Sequence, residues 1–430
     1  MTRFENCAFA SVVLLSALAM CSREMAAAQT RAWVATWAAS PESTNPNADL
    51  AIVNIKNQTV RERVRVSMGG SEICIRLSNE YGARPLLVGA VTVASPTDPS
   101  SVVPDTMRSV TFSGHASILI PPGAPVLSDP VAFAVRAGAE VSISIYFPQR
   151  VSTPTIHELA LKRAILSQTG DQTHAAKIEG GVQSSASVLI GAILVPAQPA
   201  QRLVVAFGDS IVDGDGSTID ADHNWPSDLV RRLLNSSGTS NLAVVNEGLA
   251  GNRLLSNDDG LSARVGLSAG LGAGALARFD RDVLALPGVT HVVLLEGIND
   301  LGFPGAKIAG HELADPADVR TSEELIDAYR QLISRAHALG IKLIGATLTP
   351  CEGVVLPGYY SEPKEAVRQA VNRWMRTGGF FDGVIDFDAI LRDPDQPSRI
   401  RLGFASSDHL HPNDAGYQAM ADAIDLSLFN

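Results

Sequence analysis

Five residues in four segments far apart in the chain have the types that acyl transfer requires. Ser210 lies in LVVAFGDSIVDG (203–214), Gly251 in NEGLAGNR (246–253), Asn299 in GIND (297–300), and Asp408 and His411 in SDHLHPN (407–413). A serine hydroxyl is a weak nucleophile until a neighbouring base takes its proton. His411 is the candidate base, and Asp408, three positions earlier, can reach the other imidazole nitrogen and hold its tautomer. The tetrahedral intermediate of ester cleavage needs donors aimed at its oxyanion. The N–H groups of Ser210 and Gly251 and the side-chain amide of Asn299 are the candidates. Glycine at 251 lets a backbone amide approach substrate with no Cβ in the way.

Each segment also has a plainer reading. Ser210 can cap the helix after it, Asn299-Asp300 and Gly251 can simply turn the chain, and Asn413 or Asp414 can cap a terminal helix behind His411. Asp408, His409 and His411 have the side chains of a zinc site. No third segment supplies ligands at metal spacing, so neither metal nor cofactor is expected. Position favours the catalytic reading: the segments fall in order along the chain, at the ends of expected strands.

Those strands are the apolar runs Leu203–Phe207, Ala243–Val245, Val289–Leu295, Ile341–Thr347 and Gly383–Phe387. Helical stretches separate most of them. Over Thr321–Leu339 the residues Leu325, Tyr329, Leu332, Ile333 and Ala336 share one face, with Thr321 and Glu324 at capping-box spacing. Over Lys364–Met375, Val367, Ala370, Val371 and Trp374 do the same. Alternating strands and helices with apolar strands predict a parallel sheet covered on both faces, in a three-layer, flavodoxin-like α/β arrangement over residues 202–430. The carboxyl ends of such strands converge, which brings the five residues together. The Gly- and Ala-rich segment 260–274 is expected beside them as a lid or wall.

Before Arg202 the pattern has period two. Val60, Val64 and Val66 alternate with Arg61, Arg63 and Arg65, and Ile73, Ile75 and Leu77 alternate with Cys74 and Arg76. Across Met68-Gly69-Gly70-Ser71 these runs predict a β-hairpin with one buried face. Val141, Ile143, Ile145 and Phe147 repeat the pattern, so residues 30–197 are read as an all-β, sandwich-like domain, joined to the rest by Pro196–Gln201 (PAQPAQ).

Residues 1–28 read as an export signal, with Arg3, the apolar run Ala8–Met20 and small residues at Ala26-Ala27-Ala28 for cleavage near Ala28. A secreted or periplasmic protein is expected. A lipid anchor at Cys21 is disfavoured because Met20 precedes it, and the apolar run is too short for a stable membrane span. Cys74 and Cys351 would remain, as one bridge or as two buried thiols. The chain has 430 residues, 46% of them hydrophobic, and a net charge of −11, which supports a large core and argues against nucleic acid as a partner.

The blocks GDS (208–210), the Gly of LAGN (251), GIND (297–300) and DHLH (408–411) resemble those of the SGNH hydrolases, the GDSL-type lipase/esterase superfamily. The resemblance covers Arg202 to about Leu428, with Ile211 where the family's name has leucine. It implies Ser210 as nucleophile, Asp408 and His411 as the rest of the triad, and Ser210, Gly251 and Asn299 as oxyanion donors. TWAASP (36–41), LSNEYGARPL (77–86), NEGLAGNR and LARFDRDVLALPGV (276–289) are similar to secreted bacterial members with an extra N-terminal β-domain. The expected activity is hydrolysis of carboxylic esters, of short acyl or acetyl groups, on a small-molecule or polysaccharide substrate. An acyltransferase using the same triad, and an acetylesterase whose β-domain binds sugar, are the rival readings.

Overall fold

A strand buried on both faces needs apolar side chains, and the centres of the expected runs supply them: Leu203–Phe207 and Val292–Leu294 are wholly buried. In the computed structural model, which describes residues 32–46, 51–236, 241–258 and 260–430, these runs form one sheet. Its strands are β1 (Arg202–Gly208), β2 (Leu242–Gly248), β3 (Val289–Leu295), β4 (Lys342–Ala346) and β5 (Gly383–Ile385). Their order is β2-β1-β3-β4-β5, and every neighbouring pair is parallel. This is the flavodoxin-like order, whose switch point lies between β1 and β3. Ser210 follows β1 and Asn299 follows β3, one on each side of it.

The helices that present, brace or cover the strand ends are α1 (Ser210–Asp213), α2 (Trp225–Asn235), α3 (Ala275–Phe279), α4 (Ile298–Gly302), α5 (Ser322–Ala338), α6 (Glu362–Thr377) and α7 (Asp414–Ala423). α5 buries the five residues expected of it. The face of α6 is turned by about one position: Arg368, Val371, Asn372 and Met375 are buried, while Val367 and Trp374 are only partly so. Polar side chains turn inward because the chain leaving β4 is irregular and its backbone needs partners. Arg368 donates to Leu348 O (2.6 Å) and Asp388 (2.7 Å), and Asn372 bonds both the N–H and the C=O of Leu348 (2.8 Å each).

The N-terminal region is rich in antiparallel strands. One sheet runs Trp33–Ala38, Ile190–Pro196, Cys74–Ser78, Pro125–Leu127; another runs Val182–Ser184, Ala164–Thr169, Gln58–Arg65, Glu140–Phe147, Ala90–Ala94, Arg108–Val110. The expected hairpin is therefore absent. Gln58–Arg65 pairs with Glu140–Phe147 and Ala164–Thr169, whereas Cys74–Ser78 pairs with Ile190–Pro196 in the other sheet. The intervening residues are held by Val135 and Ala139 (Gly70 N to Val135 O 2.9 Å, Val66 N to Ala139 O 3.0 Å), which carries the chain across instead of back. The arginine face is not solvent-exposed along its whole length either: only Arg65 at its end is exposed. Arg61 is fully buried and donates to Ser144 Oγ (2.9 Å), Ser100 O (2.8 Å) and Ala175 O (2.7 Å) in the loops that cover it.

The apolar core continues without a break from this region into the parallel sheet. Trp33–Ala38 and its neighbours cover β2, an edge strand that would otherwise offer unpaired backbone groups. Val244 N donates to Ser67 Oγ (3.1 Å) and Ala35 N to Pro287 O (3.0 Å). Cys74 and Cys351 are separate buried thiols, not a disulfide, and burial pushes Cys351 up to about 12. Among the described residues no helix is long and apolar enough to cross a membrane. The expected export segment, with Cys7 and Cys21, lies outside the described residues.

Thr321 and Glu324 form both bonds of the capping box on α5 (Glu324 N to Thr321 Oγ1 3.2 Å, Thr321 N to Glu324 Oε2 2.8 Å). Thr321→Ala should cost about 1 kcal/mol in urea unfolding, as the loss of an N-cap usually does. A variant as stable as the parent would contradict that reading.

Candidate active site

β1 ends at Gly208 because no larger residue fits: a Cβ there would lie 1.8 Å from Leu295 O of β3. Asp209 then caps α1, its Oδ1 accepting from Ile211 N (2.9 Å). The capping role falls to Asp209, so Ser210, the first residue of α1, has its hydroxyl available. That hydroxyl meets His411 Nε2 at 2.8 Å.

His411 reaches it from the loop before α7. Asp408 organises that loop: Oδ1 accepts from Ser406 Oγ (2.7 Å), Leu410 N (2.8 Å) and His411 N (2.9 Å), while Oδ2 meets His411 Nδ1 at 2.6 Å. Asn413 caps α7 through Gly416 N (3.0 Å), as its plainer reading expects, without displacing His411 from Ser210. Partial burial alone would raise the Asp408 carboxyl, but the His411 hydrogen bond and charge and the loop N–H groups outweigh it and hold the group well below the usual carboxylate range. Burial likewise opposes a charge on His411. The Asp408 hydrogen bond and the charges of Asp215 and Asp408 win, and its pKa is raised. Both ring nitrogens of His411 are engaged, and among the described residues no group of three or more His, Cys, Asp or Glu is arranged to hold a metal.

Asn299 sits in α4, not in a simple turn. Tyr359 OH donates to its Oδ1 (2.8 Å) and its Nδ2 donates to Asn252 O (2.9 Å), which leaves a second amide hydrogen. Gly251 has φ +71°, and a Cβ there would lie 2.6 Å from Leu271 Cδ2. The two loops are tied together, since Asp300 accepts from Leu254 N (2.6 Å) and Leu255 N (2.9 Å). The 260–274 segment is a packed wall: Ala269 and Leu271 are buried, and Asn252 Nδ2 holds Leu271 O (2.8 Å) and Ala273 O (2.9 Å). The structure thus joins Ser210, His411 and Asp408 directly. It sets Gly251 and Asn299 on adjoining loops bridged through Asn252.

What residue types and spacing missed is the layer beneath. Arg278 of α3 is buried and meets five acceptors: Asn252 Oδ1 (2.9 Å), Ser40 Oγ (2.8 Å), Glu247 O (3.0 Å), Asp282 Oδ2 (3.2 Å) and Gly208 O (2.8 Å). Its guanidinium lies 4.2 Å from the centre of the Phe207 ring. One cation therefore holds the ends of β1 and β2, the Gly251 loop and the N-terminal region. Buried carboxyls surround it. Burial lifts Asp209 to about 7, Glu247 to about 8 and Glu296 well above its ordinary value, and the Arg278 charge opposes each rise in part.

A second buried cluster stands behind α1. His157 meets Asp213 Oδ1 (3.1 Å), Ser40 O (3.0 Å) and Glu42 Oε1 (3.5 Å). Burial opposes the His157 charge, but Asp213 and Glu42 outweigh it and lift the group to about 10. A cavity of about 390 Å³ borders this cluster, between α2 and the N-terminal strands; Ser210, Asp408 and His411 do not line it. Ser40 and Arg278 fall in TWAASP and LARFDRDVLALPGV, strings with no catalytic spacing of their own. An arginine between the apolar Ala275 and Phe279 is the signal that could have found the second.

Arg278→Met keeps the bulk and removes five hydrogen bonds. It should destabilise the fold by about 3–5 kcal/mol, as loss of one partner from a buried charge network does. Denaturant unfolding measures this, and a loss below about 1 kcal/mol would contradict the bracing role.

Residues 206–419 match the model of the GDSL-like lipase/acylhydrolase family. Curated proteins give no match to the chain. Among solved structures it is similar to a member of the lipolytic protein G-D-S-L family from Veillonella parvula DSM 2008 (19% identity, 52% of this chain and 95% of that one, TM-score 0.34). It is similar also to a GDSL-like lipase from Bacteroides thetaiotaomicron VPI-5482 (15%, 54% and 90%, TM-score 0.34). A third is an acetyl xylan esterase from Geobacillus stearothermophilus (19%, 53% and 94%, TM-score 0.37). Through residues 206–419 the chain belongs to the GDSL-like lipase/acylhydrolase family, and it is an ester-hydrolysing enzyme.

Proposed function

We propose that the protein is an exported serine esterase that cleaves carboxylic esters of small acyl groups through an acyl-enzyme, with residues 30–197 as an N-terminal β-domain and 202–430 as the hydrolase domain. The observation that carries the mechanism is the relay from Ser210 Oγ to His411 Nε2 (2.8 Å) and from His411 Nδ1 to Asp408 Oδ2 (2.6 Å). Export is supported by Arg3, the apolar run Ala8–Met20 and the small residues before Gln29.

In this reading His411 takes the Ser210 proton as Oγ attacks the ester carbonyl. Asp408 keeps Nδ1 protonated and stabilises the imidazolium that forms. The Ser210 and Gly251 N–H groups and the Asn299 amide receive the oxyanion. His411 then gives its proton to the departing alkoxide, and water repeats the sequence on the acyl-enzyme. Leu271 against Gly251 and Tyr359 behind Asn299 wall the oxyanion side with buried side chains, which favours small acyl groups.

Ser210→Ala should abolish hydrolysis of p-nitrophenyl acetate, and activity in wild type should fall from acetate to butyrate to palmitate. Asn299→Ala should lower kcat by roughly 10²–10³, the usual effect of losing an oxyanion donor. An unchanged kcat would remove that assignment. His411 must be neutral to act as base, and its pKa is raised, so kcat/KM should climb with pH through a midpoint above the ordinary imidazole value of about 6.5. A midpoint below about 6 would contradict this. Activity should survive EDTA, and with added alcohols the free acid should remain the main product. Predominance of a new ester would favour the transferase.

A further inference from the structure

One charged group at the site takes no part in that mechanism. The Asp215 carboxylate lies 3.7 Å from His411 Nε2, and its side chain is 43% exposed, at the mouth of the site. Its backbone is fixed on both sides: Asp215 N donates to Ser210 O (3.0 Å) and its own carbonyl accepts from Tyr417 OH (2.6 Å). Gly214 and Gly216 flank it with φ +121° and +86°, and a Cβ on Gly216 would lie 3.1 Å from His411 Cβ. This turn therefore packs against both Ser210 and His411, with its carboxylate beside Nε2.

Nε2 is the nitrogen that protonates the departing alkoxide, so the leaving oxygen comes within about 3 Å of it. Whatever alcohol an ester carries must pass beside Asp215. Resting on the Ser210–His411–Asp408 reading above, we infer that Asp215 is a specificity-determining residue that admits neutral or cationic alcohol moieties and turns away anionic ones. The charged groups that act most strongly on His411 are all acidic. The groups facing it are Asp408 on its own loop, Asp209 at the head of α1, and Asp215; Tyr417 of α7 is a phenol, and Asp414 is engaged by Thr218 (2.7 Å). The half-buried Glu158 carboxyl, raised chiefly by desolvation and further by Asp213 and Asp215, adds an acidic neighbour of Asp215 on the N-terminal side. A negative charge at 3.7 Å also favours the imidazolium, so its removal should move the acid limb of the pH profile downward.

The test compares two matched pairs of acetyl esters: 4-acetoxybenzoate with its methyl ester, and acetylcholine with 3,3-dimethylbutyl acetate. The full chain is used as wild type, Asp215→Asn, Asp215→Glu and Ser210→Ala. The readout is the ratio of kcat/KM within each enzyme, so a general loss of activity cancels. Wild type should prefer the methyl ester to the anionic acid and acetylcholine to its neutral analogue. Asp215→Asn should reduce each preference by about fivefold or more and lower the acid-limb midpoint by about half to one pH unit. Asp215→Glu should retain most of both effects, which a role in folding alone would not predict. Ratios and midpoint unmoved in Asp215→Asn, with Ser210→Ala inactive, would overturn this inference and leave the triad standing. Full activity in Ser210→Ala would overturn the triad and the inference with it.

Discussion

Arg278 is a cation buried beneath the segments that carry Ser210 and Gly251, and the arrangement of the candidate site depends on satisfying it. A guanidinium removed from water needs acceptors for its fixed fork of donors. Here they come from Gly208 at the end of β1, Glu247 in β2, Asn252 beside Gly251, Asp282 in the following turn and Ser40 just after the N-terminal strand Trp33–Ala38. Satisfying one charge thus sets the relative positions of the strand that presents Ser210 and the loop that presents Gly251. Asn299 joins the same frame through Asn252 O. In the mechanism proposed above, oxyanion donors must stand in place before the reaction, and a buried, multiply bonded arginine is a stiff means of holding Gly251 and Asn299.

The N-terminal region is part of that frame. Ser40 bridges Arg278 and the Glu247 carboxyl (2.6 Å), and its carbonyl meets His157, which meets Asp213 on the helical turn that begins with Ser210. With the shared core and the covered edge of β2, these bonds make the β-rich region a structural partner of the catalytic one.

The sequence reveals those features of the fold and the site that a single segment encodes. The central stretches of the parallel strands are apolar because both faces are buried there, and the α5 capping box spans four residues. Ser210, Asp408 and His411 could be named because strand ends converge and because Asp408 lies close to His411 in the chain. Features set by distant partners were not legible. Alternation in Val60–Arg65 shows that the strand has two faces, but it says nothing of which strand pairs with it or that loops bury Arg61. The inward face of α6 follows the backbone needs of Leu348 as well as apolarity, and Arg278 gathers its five acceptors from four stretches, three of them distant in the chain. Nothing in the sequence around Asp215 points to His411, which lies nearly 200 positions later in the chain and is brought beside it only by the fold.

The most direct test of the account is covalent trapping. The enzyme is treated with a fluorophosphonate in stoichiometric amount, weighed intact and mapped by peptide. The account predicts one adduct per chain, on Ser210, with loss of esterase activity in proportion to labelling, and much slower labelling when His411 is replaced by alanine. An adduct on another residue that abolishes activity, or full activity with Ser210 modified, would contradict it.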